Sequence, residues 1–382
     1  MRKHFFAFLE EKKYCFDEIA KDISVIQQLK YMEQNYDYHE EGNVYCHTKL
    51  VCEYIIENHF FALESKQKNI LFTAALFHDV GKQYSTKIEN GKIVSPFHGK
   101  KGEKLFREFF FKNQQFFIPL KEREQIANLI AFHMLPMNFI EKVEIDYFLI
   151  KASWCVDMKL LYLLSLADIN GRICKDKKTL LQTTSYFREY ANEIECFDTK
   201  KSFFNNYTKW KYFQNHSVGY HCKIFDATLF DVMVLCGLPL SGKDTYISMY
   251  LNDMCCISLD DIRQKYKISP TENAGKVVQT AIIEAKQYLR KKQPFVWNAT
   301  NIIFDTRQKL CNLFSNYGAR VTFIYIEGQY HTLLQRNQVR QRTIPENVLN
   351  KMIQKMDFLQ NYEGYQTKYF ISEQNHFSAV CF

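Results

Sequence analysis

Histidines and aspartates near the ends of apolar segments are the first residues in this sequence that could do chemistry. His78 and Asp79 are adjacent and close the apolar run FTAALFHD. Burying an unpaired carboxylate is costly, and a bound cation removes that cost. His47 lies upstream, and Asp168 ends the later run LLSLAD. Imidazole and carboxylate ligands predict a divalent transition metal, and they suit manganese, iron, cobalt, nickel or zinc alike.

This ordered set of His, His-Asp and Asp resembles the HD-domain metal-dependent phosphohydrolases over about residues 40 to 175. His98 and His133 stand where two-metal members of that family add histidines. The metal ligands that the resemblance implies are His47, His78, Asp79, His98, His133 and Asp168. It implies one or two metals and a metal-activated water that attacks phosphorus. Lys82 could hold a substrate phosphate, and a solvated lysine at a helix end explains it equally well.

A second candidate site follows the apolar run DVMVL, where residues 237–245 read GLPLSGKDT. Gly237 and Gly242 let the backbone approach a phosphate, and Lys243 can bridge the β- and γ-phosphates. Between a strand and a helix, this spacing predicts ATP or another nucleoside triphosphate with Mg²⁺. The loop residues that we expect to contact the nucleotide are Gly237, Leu238, Pro239, Leu240, Ser241, Gly242, Lys243, Asp244 and Thr245.

A pair of aspartates and an arginine follow the next apolar run, in the segment SLDDIRQKY. Asp260 comes at the end of that run, where a carboxylate can accept a proton from an incoming hydroxyl. Arg263 lies three residues later and can hold a phosphate of the acceptor with its guanidinium. Taken alone, this segment would be interpreted as a surface turn with a salt bridge.

Two further polar segments follow the phosphate loop and the aspartate-arginine segment along the chain. Asn298, Thr300 and Asn301 end the strand-like run FVWNATN, and strand ends of open α/β sheets face the ligand crevice. Arg336 and Arg340 are four residues apart, so they share one face of a helix. Above a triphosphate they would stabilise charge on the transferred phosphoryl group, whereas in isolation they would be a solvated basic face.

In this order the segments resemble the kinase domain of polynucleotide 5′-hydroxyl kinases, from residue 231 to about 360. The resemblance implies that Asp260 is the general base for the 5′-OH and that Arg263 holds the adjacent phosphate. It also implies that Arg340 is the main lid arginine on ATP, with Arg336 in support. Lys243 would complete the catalytic set.

Two positions depart from the pattern of that family. Asn298 stands where a carboxylate is common, and Asp244 stands where a serine or threonine normally binds the metal. A carboxylate is also a hard oxygen ligand for Mg²⁺, so we expect Asp244 to bind the metal of a working loop. Full activity of Asp244→Ala at low Mg²⁺ would contradict this expectation.

The elements that must position these residues differ between the two halves of the chain. Up to about residue 200, apolar residues recur at helical spacing. From about residue 224, short apolar runs alternate with helical stretches, which predicts a parallel sheet with crossover helices. We therefore expect a multidomain chain. Its parts are an all-α HD domain at 1–200, a junction at 201–223 and an α/β P-loop kinase domain at 224–382.

Composition limits the number of domains and the cellular compartment that we expect for this chain. The chain has 382 residues, of which 47% are hydrophobic, enough for two or three cores. Its 12 cysteines contain no CxxC pair, so neither a zinc ribbon nor a redox dithiol is indicated. No apolar run approaches the roughly 18 residues of a membrane helix, and the start does not read as a signal peptide. We expect a reduced, cytoplasmic protein without membrane contact.

A phosphate-removing domain beside a phosphate-adding domain suggests that the chain heals the ends of a broken strand. The arrangement resembles bacterial HD-domain polynucleotide kinases of RNA repair. That resemblance implies RNA ends as substrates, with DNA ends as an alternative, and a separate RNA ligase that acts afterwards. The sequence leaves open whether the chain forms a homodimer.

Two other functions remain open on the sequence alone. HD domains also hydrolyse nucleotides and the kinase superfamily includes small-molecule kinases, so the chain could act in nucleotide metabolism. A non-enzymatic alternative is a nucleotide-switched RNA-binding module in which Asp244 has disabled catalysis. A polymer substrate predicts binding that weakens steeply with salt, and a mononucleotide does not.

Overall fold

The two halves of the sequence, which differ in the spacing of their apolar residues, fold into two separate units, Met1–Lys201 and Ser202–Phe382. The structure is a computed structural model that describes residues 2–215, 218–268, 274–340, 343–374 and 376–382. The first unit is helical and the second contains a mostly parallel sheet. The predicted multidomain fold class is therefore confirmed.

The N-terminal unit is built from helices around a buried apolar core. Its described helices are α1 (Phe5–Glu11), α2 (Phe16–Lys21), α3 (Ser24–Gln27), α4 (Val44–Asn58), α5 (Ser65–Phe77), α6 (His98–Lys112), α7 (Leu120–Phe132), α8 (Leu135–Asn138), α9 (Ile145–Ser153), α10 (Met158–Asn170) and α11 (Lys177–Glu193). Its described strands are β1 (Lys3–His4), β2 (Lys87–Glu89), β3 (Lys92–Val94) and β4 (Phe116–Phe117). Strands β1 and β4 pair in parallel, and β2 and β3 form an antiparallel hairpin.

Helix α5 passes through the centre of this core, and every residue from Asn69 to Phe77 is buried. A capping box formed by Glu64 and Gln67 starts the helix. A short 3₁₀ turn, Val80–Tyr84, follows the helix and packs against α6. A Cβ at Gly81 would overlap the carbonyl oxygen of a residue in the first turn of α6, so glycine permits this approach.

The C-terminal unit surrounds a six-stranded sheet with helices. Its described strands are β5 (Phe230–Cys236), β6 (Cys255–Ser258), β7 (Phe295–Asn298), β8 (Ala319–Gly328), β9 (Gln366–Glu373) and β10 (His376–Ala379). Its described helices are α12 (Asn206–Asn215), α13 (Lys243–Tyr250), α14 (Leu259–Lys265), α15 (Ala274–Arg290), α16 (Phe304–Ser315), α17 (Tyr330–Gln338) and α18 (Glu346–Lys355). The strand order is β10-β9-β8-β5-β7-β6, and only β10 pairs antiparallel within this described sheet.

The register of the sheet brings three strand ends together. Strand β7 lies between β5 and β6, and Asn298 is opposite both Leu235 and Ser258. The carboxyl ends of parallel strands form the ligand crevice of an open α/β sheet. The loop after β5, the end of β7 and the start of α14 therefore meet at one edge.

Helix α12 lies in the segment that we predicted as a junction. Trp210 is buried, and its indole N–H donates to Cys311 Sγ at 3.2 Å. Phe213 packs against Tyr362 with ring centroids 4.8 Å apart. In the structure the C-terminal unit thus begins before residue 224. No helix among the described residues is long and apolar enough to cross a membrane.

Candidate active sites

Four of the predicted metal ligands meet in the core of the N-terminal unit. His47 on α4 places its Nε2 3.1 Å from Asp168 Oδ1, although 121 residues separate them in sequence. His78 follows α5, and its Nε2 is 3.3 Å from His47 Nε2 and 3.3 Å from Asp79 Oδ2. All four residues are buried. Three separate helices therefore deliver one cluster of nitrogen and oxygen ligands.

The two additional histidines form a second cluster on the other side of Asp79. His98 at the start of α6 and His133 after α7 have their Nε2 atoms 3.1 Å apart. Asp79 Oδ1 lies 3.4 Å from His98 Nε2 and 4.0 Å from His133 Nε2. Because Asp79 Oδ2 faces the first cluster, its carboxylate offers one oxygen to each cluster.

Backbone carbonyls determine which nitrogen of these rings carries the hydrogen. The Nδ1 atoms of His78, His98 and His133 each lie 2.7 to 2.8 Å from a carbonyl oxygen. The carbonyls belong to Ala75, Ser95 and Ile130. A carbonyl only accepts, so each Nδ1 donates and the Nε2 of a neutral ring presents a lone pair. The facing lone pairs of His98 and His133 share no hydrogen, and a cation would satisfy both.

The charges of the clusters suit a cation as well. Burial lowers the pKa of His133 to about 3, with His98 and His78 adding to the effect. Burial also lowers the pKa of His98, against the attraction of Asp79. For Asp79, burial opposes ionisation, but Lys82 and then His78 hold the pKa of its carboxyl well below its usual range. The neutral rings of His98 and His133 beside the ionised carboxylate of Asp79 form a ligand set for a divalent metal.

Glu41 is a functional candidate that our sequence reasoning missed. Its Oε1 lies 3.0 Å from His47 Nδ1 and 2.7 Å from His39 Nδ1, and its Oε2 accepts the Ile173 N–H at 2.9 Å. A carboxylate behind a metal-binding histidine fixes the orientation of the ring and raises its basicity. Glu41 lies in the loop before α4, where no periodicity marked it.

Two basic side chains also contact the predicted carboxylate ligands. Arg172 donates from Nε to Asp168 Oδ1 at 2.9 Å and from Nη2 to Oδ2 at 2.8 Å. Lys82 Nζ lies 2.7 Å from Asp79 Oδ2 and donates to Gln34 Oε1 at 2.6 Å. Because Lys82 is buried, it is not the solvated lysine of the alternative interpretation.

The glycine-rich loop of the C-terminal unit closes around Lys243. Its Nζ donates to the carbonyl oxygens of Gly237 at 3.1 Å and Leu238 at 2.8 Å. Burial lowers the pKa of Lys243 to about 8, against the attraction of nearby carboxylates. Ser241 is fully buried, and its Oγ has no hydrogen-bond partner among the described residues. A buried hydroxyl without a partner beside a lysine fits a loop shaped for an anionic ligand.

Both glycines of the loop occupy positions where a side chain would not fit. Gly237 has φ 142°, and a Cβ there would overlap the carbonyl oxygen of Ile326 on β8. Gly242 has φ 102°, and a Cβ there would lie 2.7 Å from Ser372 Oγ on β9. The remaining predicted contact residues are Pro239, Leu240 and Thr245, which are partly buried, and Asp244, which is exposed.

The end of β7 and the residues that follow it contribute three hydrogen bonds. Asn298 Nδ2 donates to Asp244 Oδ1 at 2.6 Å, so the two positions that depart from the family pattern touch each other. Asn301, at φ 45°, donates from Nδ2 to the Leu235 carbonyl at 2.7 Å. The Thr300 carbonyl accepts the N–H of the first loop glycine at 2.8 Å. Residues 300 and 301 thus hold the base of the loop.

Helix α14 carries the predicted general base and acceptor arginine. Asp260 lies in the first turn and is exposed, and Arg263 follows on the same helix. Ser258 caps the helix by accepting the Asp261 N–H at 3.2 Å. Arg340 Nη2 lies 3.6 Å from Asp260 Oδ2. Asp260 and Arg340 both act electrostatically on the loop lysine, so these groups lie around the same loop.

Arg336 contacts the phosphate loop and the neighbouring strand. Its Nη1 donates to the Leu240 carbonyl at 2.8 Å, and its Nη2 donates to Ser372 Oγ at 3.3 Å. The guanidinium therefore supports the loop against β9. Of the two predicted lid arginines, Arg340 lies beside an acidic residue of α14, and the lid role of both remains a prediction.

Comparisons with known proteins agree with this division. Residues 44–148 match the HD domain family, and residues 232–359 match a family described as AAA domain. The chain is 24% identical over 133 residues to the L-seryl-tRNA(Sec) kinase of Methanococcus maripaludis, covering 33% of this chain and 52% of that protein. It thus spans about half the length of that relative. The chain combines an N-terminal HD domain with a C-terminal P-loop kinase-like domain.

Proposed function

We propose that this chain is a bifunctional enzyme that heals the ends of broken RNA. The C-terminal unit would phosphorylate a 5′-OH with ATP. The N-terminal unit would remove a 2′,3′-cyclic phosphate or a terminal phosphate. The observation that carries the proposal is that each unit has its own set of phosphate-handling groups. These are a His-Asp cluster with facing lone pairs, and a buried-lysine loop beside an aspartate-arginine pair.

The N-terminal cluster fits a metal-dependent hydrolase. His47, His78 and Asp168 would hold one metal, and His98 with His133 would hold a second, with one Asp79 oxygen for each. Bound metals of this kind supply an activated water for attack on phosphorus. Lys82, at 2.7 Å from Asp79, would contribute a positive charge toward the phosphate of the substrate.

The C-terminal loop and its neighbours fit phosphoryl transfer. The loop N–H groups and Lys243 would hold the triphosphate, with Mg²⁺ at Asp244. Asp260 would accept the proton of the attacking hydroxyl, and Arg340 would stabilise charge on the transferred group. Arg263, on the helix of Asp260, would hold a phosphate of the acceptor. A phosphorylated acceptor favours a nucleic-acid end.

Exposed aromatic rings close to the N-terminal cluster favour a substrate that carries bases. Phe97 directly precedes His98, and 82% of its surface is exposed. Its φ of 56° is unfavourable for a non-glycine residue, and such strain is concentrated at functional sites. Tyr84 is exposed two residues after Lys82, and its carbonyl accepts from Lys101 Nζ at 2.6 Å. Unpaired bases stack on exposed rings beside basic side chains.

Similarity to a kinase that, by its name, acts on an L-seryl-tRNA supports an acceptor that is linked to RNA. An aminoacylated tRNA is therefore an alternative acceptor. The other alternative is nucleotide metabolism, in which a mononucleotide would replace the strand. In the proposed pathway, the healed ends would be substrates for a separate RNA ligase.

Label transfer from γ-labelled ATP to a 5′-OH RNA oligonucleotide tests the kinase. We expect transfer by the wild type, no transfer by Asp260→Ala and full transfer by His78→Ala. A 5′-OH DNA strand, a mononucleotide and a seryl-tRNA serve as competing acceptors. Transfer to the mononucleotide or the seryl-tRNA alone would overturn the proposed acceptor.

Hydrolysis of an RNA oligonucleotide with a 2′,3′-cyclic phosphate tests the other unit. The assay is repeated with manganese, nickel, cobalt, iron and zinc after chelation. We expect metal-dependent opening or removal of the phosphate, loss in His78→Ala and retention in Asp260→Ala. Hydrolysis of free nucleotides without action on the RNA end would contradict the proposal.

A further inference from the structure

Asp244 and Asn298 are the two positions at which the kinase unit departs from the family pattern, and they contact each other. Asn298 Nδ2 donates to Asp244 Oδ1 at 2.6 Å across 54 residues of sequence. Asp244 lies in the first turn of α13, and Asn298 ends β7. The two unusual residues therefore belong to one local arrangement.

The surroundings of the pair place it at the crevice edge. Asn298 is buried, and its backbone lies opposite Leu235 on β5 and Ser258 on β6. Asp244 is exposed, and the bond from Asn298 is the only hydrogen bond to its carboxylate within the described part of the chain. Oδ2 of Asp244 therefore remains available to an incoming cation.

Electrostatics explains why the two departures occur together. Two carboxylates at these positions would face each other at about hydrogen-bond distance, and like charges that close do not both remain ionised. An amide facing a carboxylate satisfies both groups and keeps one negative charge beside the phosphates. The family pattern has a hydroxyl at position 244 and commonly a carboxylate at position 298. This chain has a carboxylate at position 244 and an amide at position 298.

We propose that Asp244 and Asn298 act as one exchanged pair. In it, Asp244 supplies the oxygen for the Mg²⁺ of the nucleotide and Asn298 is the positioning residue that holds it. The proposal rests on the nucleotide-binding part of the proposed function. On this proposal the unusual loop still binds ATP with Mg²⁺, because the amide of Asn298 orients the carboxylate of Asp244. Without that orientation the carboxylate would only repel the phosphates.

Binding of ATP with and without Mg²⁺ tests the pair in four full-length proteins. These are the wild type, Asp244→Asn, Asn298→Asp and the reciprocal double variant with both changes. Titration calorimetry gives the factor by which Mg²⁺ tightens ATP binding. Asp253→Asn, which removes an exposed carboxylate after α13, is the matched control. Thermal unfolding of each protein verifies the fold.

We expect the Mg²⁺ factor to fall at least about tenfold in Asp244→Asn, the loss expected for one charge-assisted contact. Asn298→Asp should also weaken Mg²⁺-dependent binding, because its carboxylate would face that of Asp244. The double variant should regain the factor to within about threefold, because the amide oxygen at position 244 would still face the cation and the carboxylate at position 298 would lie within hydrogen-bond distance of that amide. A purely structural pair would change the midpoint of thermal unfolding and leave the Mg²⁺ factor of the folded protein unchanged.

Three outcomes would contradict the proposed role of the Asp244–Asn298 pair. They are an unchanged Mg²⁺ factor in Asp244→Asn, a double variant no better than Asp244→Asn, and a wild type that binds no ATP. Failure of the RNA assignment gives a different result. In that case Mg²⁺-dependent binding and its rescue persist, while label transfer to 5′-OH ends is absent.

Discussion

At the residue scale, the most informative atoms are the ring nitrogens of the N-terminal unit. Backbone carbonyls hold the Nδ1 hydrogens, so the Nε2 lone pairs of His98 and His133 point at each other across 3.1 Å. Neither ring can rotate to relieve this contact without giving up its carbonyl. The protein thus holds an arrangement that is unfavourable unless a cation binds there.

His133→Ala should remove one of two bound metals and leave the other. The first cluster keeps His47, His78 and Asp168, whereas the second retains only His98 and one oxygen of Asp79. Manganese titration with elemental analysis should then show about one metal per chain where the wild type shows about two. His331→Ala, in the other unit, is the control. A wild type with a single metal that His133→Ala leaves in place would contradict the second cluster.

Glu41→Gln should weaken metal binding at the first cluster without unfolding the unit. Glutamine keeps the size of the side chain but loses the charge that acts on His47 Nδ1. Loss of such an outer partner typically lowers metal affinity by about 10- to 100-fold. Competition with a metal-binding dye measures the affinity. Glu40→Gln alters the exposed neighbouring carboxylate and should have no effect.

The ligands could be predicted from the sequence because their side-chain types already specify the chemistry. His78 and Asp79 can be recognised because they are a polar pair at the end of an apolar helix. Glu41 could not be found in this way, since a carboxylate in a polar loop is ordinary until the fold places it against a histidine. Asn298 could be singled out from the sequence, but its contact with Asp244 could not be predicted, because it depends on the register of two strands.

At the element scale, the turn after α5 is the part of the fold that couples the two clusters. Glycine at 81 lets this turn touch the first turn of α6, where His98 begins the helix. The turn also carries Lys82 toward Asp79. Moving the turn would therefore separate the two oxygens of Asp79 from their histidines.

Gly81→Ala should destabilise the N-terminal unit and impair the second cluster. The added Cβ would overlap the carbonyl oxygen of His98, which is backbone and cannot rotate away. We expect a loss of about 2 kcal/mol or more in the free energy of unfolding, together with weaker metal binding. Chemical denaturation measures the loss. Gly275→Ala, where a Cβ meets nothing within 4 Å, should leave the stability unchanged or higher.

The types of the helices and strands could be predicted more easily than their positions and boundaries. Alternating short apolar runs predicted the parallel sheet, and the structure has it, because strands covered on both faces are apolar throughout. Helix α12 was not predicted, since its polar and aromatic residues 206–215 show no clear helical period. Its place is decided by the burial of Trp210 against α16, which is a tertiary effect.

At the scale of the whole molecule, the chain divides at Lys201 into two units, each with its own set of candidate groups. Both metal clusters lie within the first unit, and the phosphate loop with its neighbours lies within the second. Neither set draws a residue from the other unit among the described contacts. Separate units predict separable activities.

Fragments 1–201 and 202–382 should each fold and retain one activity. We expect cyclic-phosphate hydrolysis from the first and label transfer from the second, each near the level of the full chain. A fragment that begins at residue 224 lacks α12 and the buried Trp210. It should lose about 3 kcal/mol or more of stability, as large core truncations do. Equal denaturation midpoints for the fragments starting at 202 and 224 would contradict this boundary.

The single carboxylate of Asp79, shared between the two clusters, has a thermodynamic consequence. A cation that binds one oxygen withdraws charge from the other, and two nearby cations repel each other. If both clusters bind metals as proposed, we expect their occupancy to be negatively cooperative, and by linkage each metal would weaken the binding of the other equally. Over a range of metal concentrations the protein with one bound metal would be the main species. The activity of the proposed hydrolase would then depend in a graded way on the supply of metal.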